Sequence, residues 1–572
     1  MKTLCIIHLA FLMKVYFASA NSPEVCIDTL GCLEGVYKPN SEGEQYEAFY
    51  GVPFAKPPVG ELRFKNPVAV EPWENKLLVK EPKAECIQHN YLYYPTSTTG
   101  EEDCLYLNVY RPVNSTSKKL PVLFYIYGGG YSCGSENPIL AGPEYFMDTK
   151  EVILVIPGYR LGIFGFLSTG DEQMSGNFGL KDQNLALQWV NKYIDSFGGD
   201  PTRVTIFGHS AGGSSVHYQM LSPASKGLFR NAILVSGTAI SPFINYVDAK
   251  PQVVKLANAA GFTNTSQMST SELANALRTV DAFDLLKASE SLSTWEVWPL
   301  IRLRPVIEQE SWPNAFMTED VFNLVENKNI KTVPWIGASM TPKGEGVIFA
   351  LRLLGHANLR AEFNKNFDEL FKVVLDLPAS GKPTEVAAVT ERLLAEYMGG
   401  VHELNNATLD GFLELLGDYN FVHPLYKVIV LNVNGSAANR SLEGFIRFNY
   451  TGPYSFSPSF TNSSADFGAI HVDDMIYLFT LPSVVPNGFS KSSPEAELIK
   501  KYVGIYVEYA KTGKTEVFNE ASSCTKNVLQ KSNDSEFCDH LSVVNAPNPF
   551  QIDNKWRVDR MKLWDYVYNT LK

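Results

Sequence analysis

Apolar runs alternate with amphipathic stretches through the first half of the chain. Nearly continuous apolar runs that end at a glycine or a turn predict buried strands within Leu120–Gly130, Glu151–Arg160, Arg203–Gly208 and Asn231–Gly237. Between the second and third of these, Asn184–Gly199 has apolar residues at helical spacing and closes with glycine, which predicts a helix. This order favours an α/β fold with a large, mostly parallel central sheet and helices on both faces.

The pattern becomes mainly helical further along the chain. Helical spacing covers Ala249–Glu310, Leu351–Leu416, Glu495–Tyr509 and Asp559–Leu571, and the last two are separated by an irregular stretch that bears cysteines. No internal repeat and no proline-rich linker interrupts the chain. We therefore expect residues 21–572 to form one large domain with helical insertions.

Composition and charge narrow the class of protein. Of the 572 residues, 45% are hydrophobic and 19% are charged, which is typical of a globular chain with a large core. The formal net charge of −12 argues against nucleic acid or an anionic membrane surface as the main partner.

The N-terminus has the pattern of a secretory signal. Lys2 precedes a mostly apolar run, Leu4–Phe17, and the small residues Ala18–Ala20 form a cleavage site. These features predict a signal peptide over residues 1–20 and a secreted, extracellular protein. A membrane anchor is the alternative, but the run is short and contains a histidine and a lysine.

Glycosylation motifs and cysteines fit secretion. Eight Asn-X-Ser/Thr motifs occur, at Asn114, Asn264, Asn406, Asn434, Asn439, Asn449, Asn462 and Asn533. Of eight cysteines, Cys5 lies in the leader, which leaves seven: Cys26, Cys32, Cys86, Cys104, Cys133, Cys524 and Cys538. An odd number leaves at least one thiol free or paired between chains.

The stretch TIFGHSAGGSS presents one serine between small residues at the end of a predicted strand. Gly208 and Gly212 lie two positions before and after Ser210, and a plausible helix follows. A sharp strand-to-helix turn needs small residues at these positions and exposes the serine hydroxyl, a pattern typical of a nucleophile. A chance Gly-X-Ser-X-Gly match is the alternative.

A glycine triplet and one histidine add candidate chemistry. Backbone N–H groups of Gly129 and Gly130, with that of Ala211, are candidate donors to an oxyanion, although the triplet alone is also typical of an ordinary loop. His471 lies in DFGAIHVDDM, a glycine-containing loop that suits a general base. The alternative is that His471 is a plain core or surface residue. Six other histidines compete for the role of base: His89, His217, His356, His402, His423 and His540.

Several long motifs resemble the type-B carboxylesterase and cholinesterase family. The resemblance spans essentially the whole mature chain, in FYGVPFAKPPVGELRFKNP (Phe49–Pro67), EDCLYLNVYRP (Glu102–Pro112), GNFGLKDQNLALQW and FGGDPTRVTIFGHSAGG (Phe197–Gly213). It implies the α/β-hydrolase fold and serine ester hydrolysis. The order serine, acid, histidine also matches that fold.

The resemblance implies a catalytic triad of Ser210, Glu345 and His471, with no metal and no organic cofactor. Relatives often carry an acidic residue just before the acid, where this chain has Gly344. A solvated loop carboxylate is therefore the alternative for Glu345. Ser236 matches a small residue behind the active serine in relatives.

The same resemblance implies disulfides Cys86–Cys104 and Cys524–Cys538. Cys26 and Cys32 can pair with each other, in which case Cys133 is the odd thiol, but the sequence leaves the pairing of these three cysteines open.

Within the family, the sequence as a whole resembles those of secreted insect carboxylesterases. The Cys86–Cys104 loop lacks the tryptophan that binds choline in cholinesterases, which disfavours choline esters. Juvenile hormone esterases, the first alternative, usually have glutamine before the serine, where His209 stands. We predict a carboxylesterase that hydrolyses small-molecule esters through an acyl-enzyme. A slow ester-sequestering protein and an adhesion protein are the alternatives from other classes.

Overall fold

A sheet of eleven strands forms the centre of the part of the chain that this computed structural model describes, which is residues 22–113, 115, 119–242, 249–326, 333–377, 382–434, 441–515 and 536–571. The strands in chain order are β1 Val36–Pro39, β2 Gln45–Pro53, β3 Tyr106–Pro112, β4 Leu120–Ile126, β5 Ile153–Pro157, β6 Gly199–His209, β7 Asn231–Val235, β8 Trp335–Met340, β9 Leu442–Asn449, β10 Glu536–Val544 and β11 Phe550–Lys555.

The sheet is mostly parallel, as predicted. Its spatial order is β11-β10-β9-β8-β7-β6-β4-β5-β3-β2-β1. All neighbours from β10 across to β5 pair in parallel, and antiparallel pairing is confined to the two ends of the sheet. The central strands β4, β5 and β7 are buried along their whole length, as expected for a sheet covered on both faces.

Helices follow the strands and cover the sheet. In chain order they are α1 Glu144–Asp148, α2 Gly162–Phe166, α3 Phe178–Tyr193, α4 Ala211–Leu221, α5 Lys250–Ala259, α6 Thr270–Arg278, α7 Ala282–Ser289, α8 Val321–Glu326, α9 Pro342–Gly355, α10 Ala357–Lys365, α11 Phe367–Val374, α12 Pro383–Met398, α13 Leu409–Gly417, α14 His423–Asn434, α15 Ser457–Thr461, α16 Pro494–Thr512 and α17 Val558–Leu571. The helix α3 begins six residues earlier than the pattern indicated and ends at Tyr193, where a 3₁₀ turn takes over.

The prediction of helix up to Glu310 was wrong. The helix α7 ends at Ser289, a 3₁₀ turn covers Glu290–Leu292, and the chain from there to residue 320 is irregular. Two prolines explain this, because Pro299 and Pro305 lack the N–H that a helix interior requires.

The stretch between α16 and α17 was also misjudged, since it contributes β10 and β11 to the sheet. Polar and apolar residues mix without strict alternation in β10, and most residues of the edge strand β11 are exposed or half-buried. Neither strand therefore carries the period-2 pattern by which strands are recognised.

The structure contains the disulfides Cys86–Cys104 and Cys26–Cys32, and Cys133 is a buried free thiol. Cys538 is also disulfide-bonded, whereas Cys524 lies outside the described residues, so that their pairing stays a prediction. The signal segment and three glycosylation motifs likewise lie outside them: Asn114, Asn439 and Asn533. The other motif asparagines are all exposed: Asn264, Asn406, Asn434, Asn449 and Asn462.

Candidate active site

Four parallel strands end at the same edge of the sheet and place the candidate residues there. The glycine loop, Gly128–Gly130, follows β4, and Ser210 follows β6 directly. Glu345 lies five residues beyond β8, and the loop with His471 comes after β9. The carboxyl ends of parallel strands are where α/β proteins assemble their sites. Residues that are far apart in sequence therefore meet.

Ser210 occupies the sharp turn that its neighbours predict. Its backbone has φ 58° and ψ −126°, and α4 begins at the next residue. A Cβ on Gly208 would lie 2.6 Å from the carbonyl oxygen of Gly212, and one on Gly212 would overlap the carbonyl oxygen of Ile126. The two glycines are therefore required because backbone segments approach each other closely at the turn.

Glu345 lies in the first turn of α9, and its carboxylate is fully buried. Thr341 caps this helix by accepting a hydrogen bond from the amide of Gly344. One carboxylate oxygen of Glu345 accepts hydrogen bonds from the hydroxyl of Ser236 at 2.6 Å and from the amide of Met340 at 2.8 Å. The alternative of a solvated loop carboxylate was wrong.

The other oxygen of Glu345 lies 2.6 Å from Nδ1 of His471, and both side chains are fully buried. The backbone N–H of His471 also donates to the carbonyl of Gly344 at 3.0 Å. A side chain at position 344 would overlap the carbonyl oxygen of Ala469, so the glycine allows the histidine loop to approach. Nε2 of His471 is buried and has no hydrogen-bond partner among the described residues.

The six competing histidines bond elsewhere. Burial lowers the pKa of His217 to about 3, which keeps that imidazole neutral. Their contacts are His89 with Thr98, His217 with the amide of Ala239, His356 with Tyr94, His402 with Asp368, His423 with Asp565 and His540 with the carbonyl of Cys538.

The glycine loop lies directly against the serine. A Cβ on Gly128 would lie 2.6 Å from the carbonyl oxygen of His209 and 3.0 Å from Cβ of Ser210. Gly129 has φ 111° and Gly130 has φ 61°, both in the region that favours glycine. In the part of the chain that is described, the N–H groups of Gly129, Gly130 and Ala211 donate to no other group.

A pocket with about 320 Å³ of space, part of it open to solvent, lies above Ser210. Its walls are apolar apart from the serine hydroxyl, and they include Gly130 and Ala211 but not Gly129. The remaining wall residues are Leu92, Leu300, Ile301, Ile348, Phe349 and Phe421. The sequence did not single out any of these, because they come from four separate segments.

Phe421 connects this pocket to the histidine. Its ring stacks on the His471 imidazole with the ring centroids 4.5 Å apart and the planes 20° from parallel. It belongs to a π-helical turn, Asp418–Val422, and such turns are frequent at functional sites. The sequence offers no signal for this turn.

Two kinds of feature are absent from the described residues. Among them, no group of three or more His, Cys, Asp and Glu side chains is arranged to hold a metal ion. None of their helices is long and apolar enough to cross a membrane.

Comparison with known proteins identifies the family of the chain. The profile of the carboxylesterase family matches residues 21–561. The chain is 37% identical to a juvenile hormone esterase of Tribolium castaneum over 80% of this chain and 78% of that one. It is 32% identical to venom carboxylesterase-6 of Apis mellifera over 94% and 93% of the two chains.

A solved structure shares the fold as well. The juvenile hormone esterase of Manduca sexta, with OTFP covalently attached, superposes with a TM-score of 0.81 at 25% identity, over 96% of this chain and 100% of that one. The match confirms the α/β-hydrolase fold. The chain belongs to the carboxylesterase family and is a carboxylic ester hydrolase.

Proposed function

We propose that Ser210, His471 and Glu345 form the catalytic triad of a secreted serine carboxylesterase. The observation that carries this proposal is the buried contact between His471 Nδ1 and Glu345, at 2.6 Å, which leaves Nε2 without a partner in the described structure. A histidine held at one nitrogen and unengaged at the other is arranged to move a proton.

In the proposed reaction, Ser210 Oγ attacks the ester carbonyl carbon while Nε2 of His471 takes the hydroxyl proton. The N–H groups of Gly129, Gly130 and Ala211 stabilise the negative oxygen of the tetrahedral intermediate. His471 then gives the proton to the departing alcohol, which leaves an acyl-serine. Water attacks this acyl group, with His471 again accepting and returning the proton. Glu345 orients the imidazole and stabilises its charged form.

The pocket walls support neutral, apolar ester groups as substrates. Among the described residues, no charged side chain lines the pocket, so a charged acyl or alcohol group would lose its hydration without gaining a partner from them. Leu92 is the residue that the Cys86–Cys104 loop contributes. We therefore propose a general carboxylesterase with a preference for uncharged esters.

Juvenile hormone hydrolysis is the second candidate. The relatives from Tribolium castaneum and Manduca sexta, both named juvenile hormone esterases, favour it. His209, at the position where such enzymes usually carry glutamine, favours the general reading instead.

Secretion and glycosylation are part of the proposal. The leader pattern at residues 1–20, the disulfides and the five exposed motif asparagines support them. Expression in insect cells, followed by N-terminal sequencing of the medium and a mass measurement before and after N-glycosidase, tests this. Protein retained in the cells with residues 1–20 intact would contradict it.

The activity is tested on purified protein by steady-state and stopped-flow hydrolysis of short p-nitrophenyl esters and of a juvenile hormone. Rapid turnover of the short esters with poor affinity for the hormone supports the general carboxylesterase. A submicromolar KM for the hormone with comparable turnover supports the second candidate.

The remaining outcomes would overturn both candidates. A burst of one equivalent of product followed by almost no turnover would indicate an ester-sequestering protein with blocked deacylation. No burst and no turnover would indicate an adhesion protein. Ser210→Ala is the matched control, and any turnover or organophosphate labelling that persists in it would reject the serine.

A further inference from the structure

A second buried histidine–carboxylate pair lies beside the proposed triad. Nε2 of His209 is 2.9 Å from a carboxylate oxygen of Asp474, and both side chains are fully buried. His209 is the last residue of β6 and immediately precedes Ser210. Asp474 lies three residues after His471, in the 3₁₀ turn Asp473–Tyr477. The pair thus joins the backbone segment that carries the serine to the segment that carries the histidine.

The loop that carries His471 has other anchors, but they serve different neighbours. The amide of His471 bonds to Gly344, at the start of α9. Asp473 accepts hydrogen bonds from the amides of Ile470 at 3.0 Å and Phe456 at 2.8 Å, which closes the loop on itself. Of these contacts, the one with Gly344 sets the loop relative to the acid. The contact between His209 and Asp474 sets it relative to the serine.

A third residue provides a matched control. The hydroxyl of Tyr502, on α16, donates to the same oxygen of Asp474 at 3.1 Å. The carboxylate therefore has two buried partners, of which one adjoins Ser210 in the chain and the other belongs to a distant helix. Loss of either partner costs Asp474 one hydrogen bond, but only loss of His209 breaks the link to the serine.

We propose that His209 and Asp474 are positioning residues that hold the Ser210 hydroxyl and the His471 imidazole at reacting distance. This inference rests on the proposed function, because it assigns the pair a role in the proton transfer between these two residues. A displacement of about 1 Å at the reacting groups costs on the order of 10²-fold in rate. Loss of this link is therefore expected to lower kcat and the rate of acylation rather than to change KM.

The test compares His209→Gln with His209→Asn. The amide nitrogen of glutamine reaches about as far as Nε2 of histidine, whereas that of asparagine is one methylene shorter and cannot reach Asp474. For a short p-nitrophenyl ester, we expect His209→Asn to lower kcat about 10- to 100-fold with KM changed less than about threefold. We expect His209→Gln to restore kcat to within about fivefold of the parent, and Tyr502→Phe to stay within about threefold.

Each variant is also titrated with an organophosphate, and its thermal unfolding is followed. Slow but stoichiometric labelling of His209→Asn supports the inference. Equal kcat values in the asparagine and glutamine variants, a loss confined to KM, or a loss in Tyr502→Phe as large as in His209→Asn would overturn it. Ser210→Ala in the same series separates the two proposals, since turnover in that variant would reject the triad itself. An inactive Ser210→Ala beside a normal His209→Asn would reject the positioning role alone.

Discussion

The ring of Phe421 lies flat against the imidazole of His471, with centroids 4.5 Å apart. The same ring forms part of the pocket wall above Ser210. One side chain therefore touches both the proposed base and the space that the substrate occupies. Changes at this position are expected to affect the orientation of the histidine and the choice of substrate together.

For Phe421→Ala, we expect kcat on a short ester to fall roughly tenfold, since an aromatic pair contributes about 0.5–1.5 kcal/mol beyond burial. The fall in kcat should be smaller for esters whose acyl groups have bulkier ends, because the pocket becomes larger. Kinetics over a series of p-nitrophenyl esters measure both effects. Ile348→Ala is the control, because Ile348 lines the same pocket but has no ring to stack on His471, and its loss should alter KM with little effect on kcat. Equal kcat losses in the two variants would contradict this account.

Glu345→Gln should lower kcat on the order of 10⁴-fold, because an amide cannot stabilise the charged imidazole and favours the wrong tautomer. Ser236→Ala removes only one of the two hydrogen bonds to Oε1 of Glu345. This change should lower kcat roughly 10- to 100-fold, since a hydrogen bond to a charged group contributes roughly 1.5–3 kcal/mol. Single-turnover kinetics with active-site titration measure both. Turnover near the parent level in Glu345→Gln would require another acid.

The Cys86–Cys104 disulfide closes a loop with a sequence separation of 18, within which Leu92 reaches the pocket. Replacing both cysteines with serine should lower the free energy of unfolding by about 3 kcal/mol and raise KM. Urea unfolding and steady-state kinetics test this. The control is the Cys26–Cys32 pair, whose separation is 6 and whose two short strands, Glu24–Ile27 and Gly31–Glu34, contribute no residue to the described pocket wall. Its removal should cost less stability and leave KM unchanged. A KM change in the control as large as in the first variant would contradict the role of the loop.

Stability should fall as the pH rises through the range in which Glu136 stays protonated only in the folded protein. Burial raises the pKa of Glu136 from 4.5 to about 8, and its Oε2 has no partner among the described residues. Between these values the folded chain keeps a proton that the unfolded chain releases, so the free energy of unfolding decreases by up to about 1.4 kcal/mol per pH unit.

In Glu136→Gln the contribution of this carboxyl to the decrease should disappear, since the amide does not titrate. Chemical unfolding at intervals from pH 5 to pH 8 checks it, and the gap in stability between variant and parent should widen with rising pH. A constant gap over this range would show that the carboxyl does not hold its proton.

A feature could be predicted from the sequence when the residues that specify it are close together in the chain. The turn at Ser210 and the glycines at 129 and 130 are encoded within a few consecutive residues, because close backbone contacts or a positive φ favour glycine there. Sequence spacing alone did not single out Glu345. Its place followed from family resemblance, and its burial and helical position followed from the structure.

The pocket and the pair His209–Asp474 lay beyond sequence reasoning. Phe421 lies 50 residues before His471 in the chain, and Asp474 is 265 residues from His209, so only the packing of distant segments brings each pair together. The strand β10 was missed for a similar reason. It is specified by its parallel pairing with β9 rather than by an alternating pattern of its own.

The separate origins of the pocket walls bear on how such a chain diverges. The proposed catalytic residues follow β6, β8 and β9, whereas Leu92, Leu300, Ile301 and Phe421 belong to segments outside those strands. Insertions and substitutions in the wall segments can remodel the substrate cavity while the sheet and its reacting groups remain in place. The same reaction can thereby be applied to new ester substrates. Sequence similarity within this family is therefore a weaker guide to the natural substrate than the shape of those segments.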